Sequence, residues 1–398
     1  MDQPTTDNGA PLRTLESMGV AAKHVERPQK EGEAQQILAR AGREKLTVLP
    51  VGGATTIAAG TLPERVDIVL DTTGMAGVAA FDMSNLNMTV LSGTTLDGIN
   101  EFLAGQGNGF FLPLDPPFSD RATIGGVYAA NGSGPSRLRY GTMRDQSLGV
   151  RGIEAGGGEI GFGGKTVKNV SGYDLTKFLI GSAGSLCLIT AINLRVHPLP
   201  GASSVCEVTF QKLEEVEKFL QALRSSVLIP SGVVVEPGKG GFRILAAFEG
   251  HPLAVERENK DLLAMAGNLG GKGEAKMGRD VMRHEVKGAI EADGDAMAIK
   301  VTVPISEGPR ALAKLADLAG GAKTVLFAGN GVLLVYGADE RIIEGAKALA
   351  SHGYVVPLRL HRSLLSKWGP RVDATLEQFV LRPIKEKLDP ASVFPPIL

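Results

Sequence analysis

The sequence predicts an α+β protein assembled from more than one unit, on three observations. Two glycine-rich loops, each beside an apolar run, lie about seventy residues apart, at 48–57 and 123–134. Residues 202–360 repeat the order strand, helix, strand, strand, helix, the second copy with a further strand. That ferredoxin-like order packs helices on one face of an antiparallel sheet. The chain also holds 52 glycines in 398 residues, against a usual share of about 7%. They fall in turns without a period, which excludes collagen and fits a loop-rich fold.

In chain order, residues 1–20 are polar and weakly patterned, and an N-terminal extension to about residue 25 is expected. A strand at 20–25, a helix at 31–42 and a strand at 46–51 follow, with Pro28 and acidic residues at the helix start and Gly42 at its end. Segments 77–82 and 88–93 form a hairpin, and 96–105 a short helix. Gly156-Gly-Gly-Glu-Ile-Gly161 matches a dinucleotide fingerprint in letters only. No helix follows it, so it reads as a turn between strands. A buried strand at 186–196 closes the first region, and His197-Pro-Leu-Pro-Gly201 punctuates it. The expected units are therefore 1–25, 26–199, an α+β cap over 200–362, and a helix and tail over 363–398. The stretch 271–294, charged and glycine-rich, reads as a linker between the two repeats.

Lys plus Arg is 42 and Asp plus Glu is 43, which argues against nucleic acid as the partner. The two cysteines, Cys187 and Cys206, are too few for an iron–sulfur cluster or a structural zinc; both read as small buried hydrophobes, and no metal site is expected. The N-terminus lacks a basic segment followed by an apolar one, and no run of eighteen apolar residues occurs. A cytoplasmic protein without a membrane span is expected, peripheral to a membrane only through partners.

The loops carry the chemistry. Val51, Gly52, Gly53, Ala54, Thr55 and Thr56 end a strand with bare backbone N–H groups and hydroxyls, which is how a strand end delivers donors to a phosphate. In the second loop, Thr123, Gly125, Gly126, Asn131, Gly132, Ser133 and Gly134 combine missing Cβ atoms with polar side chains. Together they fit one ligand with phosphate at one end and a flat ring at the other. A tight turn with no ligand is the alternative for either loop alone.

Pro50-Val-Gly-Gly-Ala-Thr-Thr56, Asp115-Pro, Ala122-Thr-Ile-Gly-Gly126, Asn131-Gly-Ser-Gly134 and Arg139-Tyr-Gly141 together resemble the FAD-binding domain of the vanillyl-alcohol oxidase and p-cresol methylhydroxylase (PCMH) superfamily. Lys168-Asn-Val-Ser-Gly-Tyr-Asp-Leu175 and Gly181-Ser-Ala-Gly-Ser185 make the chain similar to the smaller flavin (E) subunits of bacterial glycolate oxidases. The resemblance covers about residues 26–199. The tail Leu388-Asp-Pro-Ala-Ser-Val-Phe-Pro-Pro396 departs from the family ending, with Pro395 in place of the usual Asn.

The resemblance implies a PCMH-type FAD-binding domain of two α+β subdomains plus a ferredoxin-like α+β cap, with the tail returning to the flavin domain. It implies pyrophosphate at residues 52–56. Gly125, Gly126 and residues 131–134 would lie along the ribityl chain and ring, and Pro116, Ser119, Ala122 and Thr123 would lead into that contact. Ile189 would give main-chain bonds near the adenine. With no His in the first loop and no Cys in the second, non-covalent FAD is expected.

It further implies a 2-hydroxy acid (glycolate or D-lactate) substrate, and partners: a larger FAD subunit and a cysteine-rich iron–sulfur subunit. Such chemistry needs a cation for the carboxylate and a proton acceptor. The candidates are Arg139, near the second loop, and His361, at the end of the last cap strand. A cofactor-backing role and a solvated strand end are the respective alternatives. A relay or structural subunit, and a stand-alone 2-hydroxy acid dehydrogenase, remain the competing functions.

Overall fold

The computed structural model describes residues 10–164, 175–238, 240–292, 297–320, 323–337, 339–350, 352–366, 368 and 376–397. The first part of the chain contains two small sheets. One is parallel, ordered Ala21–Glu26, Arg65–Asp71, Val48–Val51. Helix Glu31–Glu44 covers it with Ala34, Leu38 and Ala41, spaced at three and four residues to make one apolar stripe. The other is antiparallel, ordered Val78–Asp82, Asn87–Leu91, Leu188–Arg195, Ser147–Ile153, Glu159–Gly163. Helices Leu96–Ala104 and Ile124–Ala130 pack on it around Met88, Ile99, Tyr128 and Ile192. The glycines at 156–158 turn Ser147–Ile153 back into Glu159–Gly163.

The expected extension over 1–25 is corrected where the structure describes it. Ala10–Ser17 is a helix, and the strand expected at 20–25 is present as Ala21–Glu26 in the parallel sheet. Leu15, Met18 and Val20 explain this: they are buried against Val51, Ala58 and Val69.

Residues 202–359 build one eight-stranded antiparallel sheet. Its order is Lys272–Met277, Ala202–Phe210, Gly241–Gly250, Gly232–Gly238, Thr324–Phe327, Val332–Tyr336, Ala298–Thr302, Tyr354–Arg359. Each half has ferredoxin-like order, and the halves meet where Val234 and Val235 pair with Phe327 and Leu326. Alternation sorts the side chains. Val233 and Val235 face helices Leu213–Arg224, Pro252–Asn268, Gly308–Ala319 and Glu340–Leu349, while Val234 faces the other side.

The linker expected at 271–294 is corrected too. It holds the fourth strand of the first half, Lys272–Met277, and a helix, Arg279–Ile290, packed on the second face of the sheet through Met282, Ala289 and Ile290. Phe118, from the loop before the second glycine-rich segment, joins that same cluster. The tail crosses back to the start of the chain. Val393 and Phe394 are buried with Val48 and Ile68, and Val48 N–H donates to Val393 O at 2.7 Å.

Candidate functional site

Two concavities adjoin the glycine-rich loops. The first is a cleft between the two small sheets, about 680 Å³ including its mouth, lined by residues 50–57 on one side and by Ser92, Thr123, Gly125, Gly126 and Ile189 on the other. No charged side chain lines it. The glycines explain how closely its walls meet. A Cβ on Gly53 would stand 1.8 Å from Arg121 O, and one on Gly52 would stand 2.1 Å from Thr123 Oγ1.

The two loops contribute differently. Gly125 N–H donates to Ser92 O at 2.8 Å, and Gly126 N–H to the N-cap Thr123 Oγ1 at 3.3 Å, so both of these donors are already spent. None of the five N–H groups of Gly52, Gly53, Ala54, Thr55 and Thr56 donates to an acceptor among the described residues. Ser92 Oγ, buried in the wall, also lacks a partner. Ala54 is buried and the other four are half-buried, so the cleft presents partly desolvated donors to a charge-free space, which suits an anion. Cys187 lies at its inner end, where burial pushes the thiol up to about 12, so it stays protonated.

The second concavity, about 1110 Å³ with its mouth, lies between the first part of the chain and the eight-stranded sheet. Pro116, Ser119, Pro135 and Ser136 form one wall; helix Arg279–Ile290 forms another. Tyr140 donates its hydroxyl proton to Glu249 Oε2 at 3.0 Å. Arg279 reaches Glu249 Oε1 at 3.4 Å and lies over the Phe111 ring, 4.2 Å from its centroid. Arg283 and Lys287 sit 3.5 and 3.2 Å from Asp97. Asp115 is half-buried in the cavity wall and accepts from Ser136 N–H at 3.0 Å.

A comparison with protein families assigns residues 22–162 to the FAD-binding domain model. This part of the chain is an FAD-binding domain. Among curated relatives, the glycolate oxidase subunit GlcE of Escherichia coli (strain K12) is 39% identical over 34% of this chain and 38% of its own length. The glycolate oxidase subunit GlcD of Bacillus subtilis (strain 168) is 31% identical over 51% of this chain and 43% of its own. The mitochondrial D-lactate dehydrogenase [cytochrome] of Arabidopsis thaliana is 34% identical over 47% of this chain and 32% of its own. The chain thus spans less than half the length of these relatives.

The whole fold has solved counterparts. p-Cresol methylhydroxylase superposes with a TM-score of 0.70 at 16% identity, covering 93% of this chain and 87% of that one. Xylooligosaccharide oxidase from Myceliophthora thermophila C1 gives 0.70 at 13% identity over 98% and 95%. The architecture is the PCMH-type α+β fold, and FAD is the cofactor of its first domain.

Of the residues singled out in the sequence, Val51 to Thr56, Thr123, Gly125, Gly126 and Ile189 line the cleft of the FAD-binding domain, and Pro116 and Ser119 line the second cavity. Ala122 lines neither; it is buried in the core beneath the loop. Asn131 adopts a left-handed conformation that ends helix Ile124–Ala130, and residues 131–134 line neither concavity. Gly134 packs on Asp115, whose carbonyl oxygen a Cβ would meet at 1.9 Å.

The two catalytic candidates are not brought to either concavity. Arg139, exposed in the short helix Arg137–Tyr140, donates to the Glu249 carbonyl. His361 is exposed and caps helix Arg362–Leu365, its Nδ1 2.8 Å from Ser363 Oγ and its ring against Gly19. The residues the sequence reading missed are Glu249 and Arg279; Tyr140 lay inside the Arg139-Tyr-Gly141 motif without being made a site candidate. The signal for Arg279 was that 279, 283 and 287 fall on one helical face. The Lys168 to Tyr173 motif lies outside the described residues.

Burial raises Asp115 to about 6, with Ser136 pulling it down and Glu249 pushing it up. Its unfolded value lies near 3.8. An acid bound more tightly to its proton in the fold loses stability as pH rises between those values, by about 3 kcal/mol for a shift of about two units. Asp115→Asn keeps an oxygen for Ser136 N–H and removes the charge. It is expected to be more stable than wild type at pH 8 and no more stable at pH 4 in urea melts. Equal pH profiles for the two proteins would count against a buried carboxyl there.

Proposed function

We propose that this chain is the FAD-binding subunit of a cytoplasmic complex that oxidises a 2-hydroxy acid such as glycolate or D-lactate. Electrons pass from it to a larger flavin subunit and an iron–sulfur subunit. The observation that carries the reading is the cleft with five unspent N–H groups and the partnerless Ser92 hydroxyl, opening beside a cavity under the cap. That donor set fits FAD. Residues 52–56 hold the pyrophosphate by charge-free hydrogen bonding. Gly125 and Gly126, their own donors spent, serve as walls without Cβ atoms. When bound, FAD supplies two-electron redox chemistry.

The named relatives, which include two glycolate oxidase subunits and a D-lactate dehydrogenase, support the substrate class. The need for partners follows from the two cysteines, too few to ligate a cluster, and no metal-ligating group of three occurs among the described residues. No helix among those residues is long and apolar enough to cross a membrane. The FAD is held without a covalent bond, since no histidine lies in the first loop and Cys187 is a protonated thiol.

The test is the visible spectrum of the purified chain, then anaerobic addition of glycolate and of D-lactate. A yellow protein is expected to release its FAD on acid precipitation and to bleach with one of the two acids, alone or once partner subunits are added. A colourless protein that takes up no FAD overturns the reading.

A further inference from the structure

We infer that the loop after helix Leu213–Arg224, together with the groove beside it, is the surface through which two copies of this chain pair about a two-fold axis. The inference draws on neither the cofactor nor the substrate reading. Val227 and Ile229 project from that loop, 78% and 62% exposed. Apolar side chains scattered singly over a surface need no explanation, but two that border an apolar hollow mark a contact site. The hollow is a groove of about 740 Å³ including its mouth. Leu220, Leu223 and Val233 line it from the cap, and Leu138 lines it from the FAD-binding domain.

The ridge is held in place by its own hydrogen bonds. Ser226 Oγ donates to Leu223 O at 2.8 Å and accepts from Leu228 N–H at 3.1 Å. Ile229 N–H donates to Glu258 Oε1 at 3.1 Å. A loop fixed in this way loses little freedom when its side chains are covered, so less of the contact energy goes to ordering it.

Charge says what covers it. The groove carries two bases, Arg139 and Arg224, and no acidic side chain lines it. Arg224 is exposed and has no acidic partner among the described residues. The ridge carries an acid, Glu258, at its foot. An acid-bearing ridge beside a groove with two bases is complementary to a copy of itself. A two-fold axis sets each ridge in the other copy's groove, because in such an interface residue i meets residue j and j meets i. The ridge of one copy then touches both the cap and the FAD-binding domain of the other.

Sedimentation velocity of the full chain tests this from about 1 to about 100 µM, the range over which a dimer of micromolar Kd dissociates. Wild type is expected to pass from monomer to dimer within it. Val227→Lys and Val227→Glu alter a side chain that is exposed in the monomer, and near-ultraviolet circular dichroism checks that both keep the fold. Lysine enters a groove that already holds two cations, whereas glutamate meets opposite charge. Val227→Lys is expected to weaken the dimer at least about tenfold more than Val227→Glu, and Arg224→Glu added to Val227→Lys to recover most of that loss. A wild type that stays monomeric at about 100 µM gives the groove to a different chain and overturns the inference. Assemblies larger than a dimer, or lysine and glutamate variants that weaken pairing equally, overturn it too.

Discussion

Gly53→Val is expected to strip FAD from the protein. The added Cβ would lie 1.8 Å from Arg121 O and 2.6 Å from its carbonyl carbon, and both are main-chain atoms that no rotamer change can move. The loop after Val48–Val51 must therefore lift away from the segment that leads into Thr123. Overpacking of this kind costs typically 1–3 kcal/mol, and more when backbone has to shift. The displaced groups are the free N–H donors of residues 52–56, so the cost falls on ligand binding as well as on folding. An affinity loss of about 100-fold, equivalent to about 3 kcal/mol, is the expected scale. A fluorescence titration of apoprotein with FAD measures it. Gly267→Ala is the matched control. It sits in helix Pro252–Asn268 with nothing within 4 Å of its Cβ position, so it should keep FAD and gain up to about 1 kcal/mol of helix propensity. Wild-type FAD affinity in Gly53→Val would place the cofactor elsewhere.

Lys385→Met is expected to be the most destabilising single charge removal in the chain. Its ammonium donates to Asp389 Oδ2 at 2.6 Å and to the carbonyls of Ser185, Phe394 and Pro395 at 2.6, 3.1 and 3.0 Å. Asp389 is 1% exposed and also accepts from Val393 and Phe394 N–H, so one ion pair folds the whole tail turn. Removing the lysine leaves a buried carboxylate and three carbonyls without it, a loss of about 3–5 kcal/mol. Lys23 and Asp67 form a pair of nearly the same length, 2.5 Å, but the lysine side chain is 69% exposed. Lys23→Met should cost less than about 1 kcal/mol. Thermal melts of the two variants compare burial at fixed distance. Similar midpoints would mean that the tail is not load-carrying for the fold.

Local pattern made much of this architecture legible. Helix Glu31–Glu44 announced itself by its apolar stripe, and both glycine-rich loops by their missing side chains. Segment 272–290 was not legible, for a physical reason. Gly273 sits in an edge strand because a Cβ there would meet Glu207 O at 2.2 Å, so a residue chosen for close strand approach looked like a linker residue. The helix after it buries only Met282, Ala289 and Ile290, and its remaining polar positions look like solvated linker. The candidate site divided the same way. Backbone chemistry at residues 52–56 is fixed by local sequence, so the loop was found. Which way Arg139 or Arg279 points depends on which sheet each lies against, and no nearest-neighbour pattern records that. Charge and position in the chain chose Arg139 and His361, and packing turned both away.

The return of the tail to the first sheet bears on the order of events during synthesis. Ribosomes release a chain from the N-terminus, and units generally fold as they emerge. The parallel sheet around Val48 and Ile68 is made early, yet two of its core side chains, Val393 and Phe394, arrive about two hundred residues after the last strand of the neighbouring sheet. At roughly 5–20 residues per second that delay is roughly 10–40 s. During it the nascent flavin domain waits with an open flank while the eight-stranded sheet assembles, so its closure is the last step of folding rather than the first.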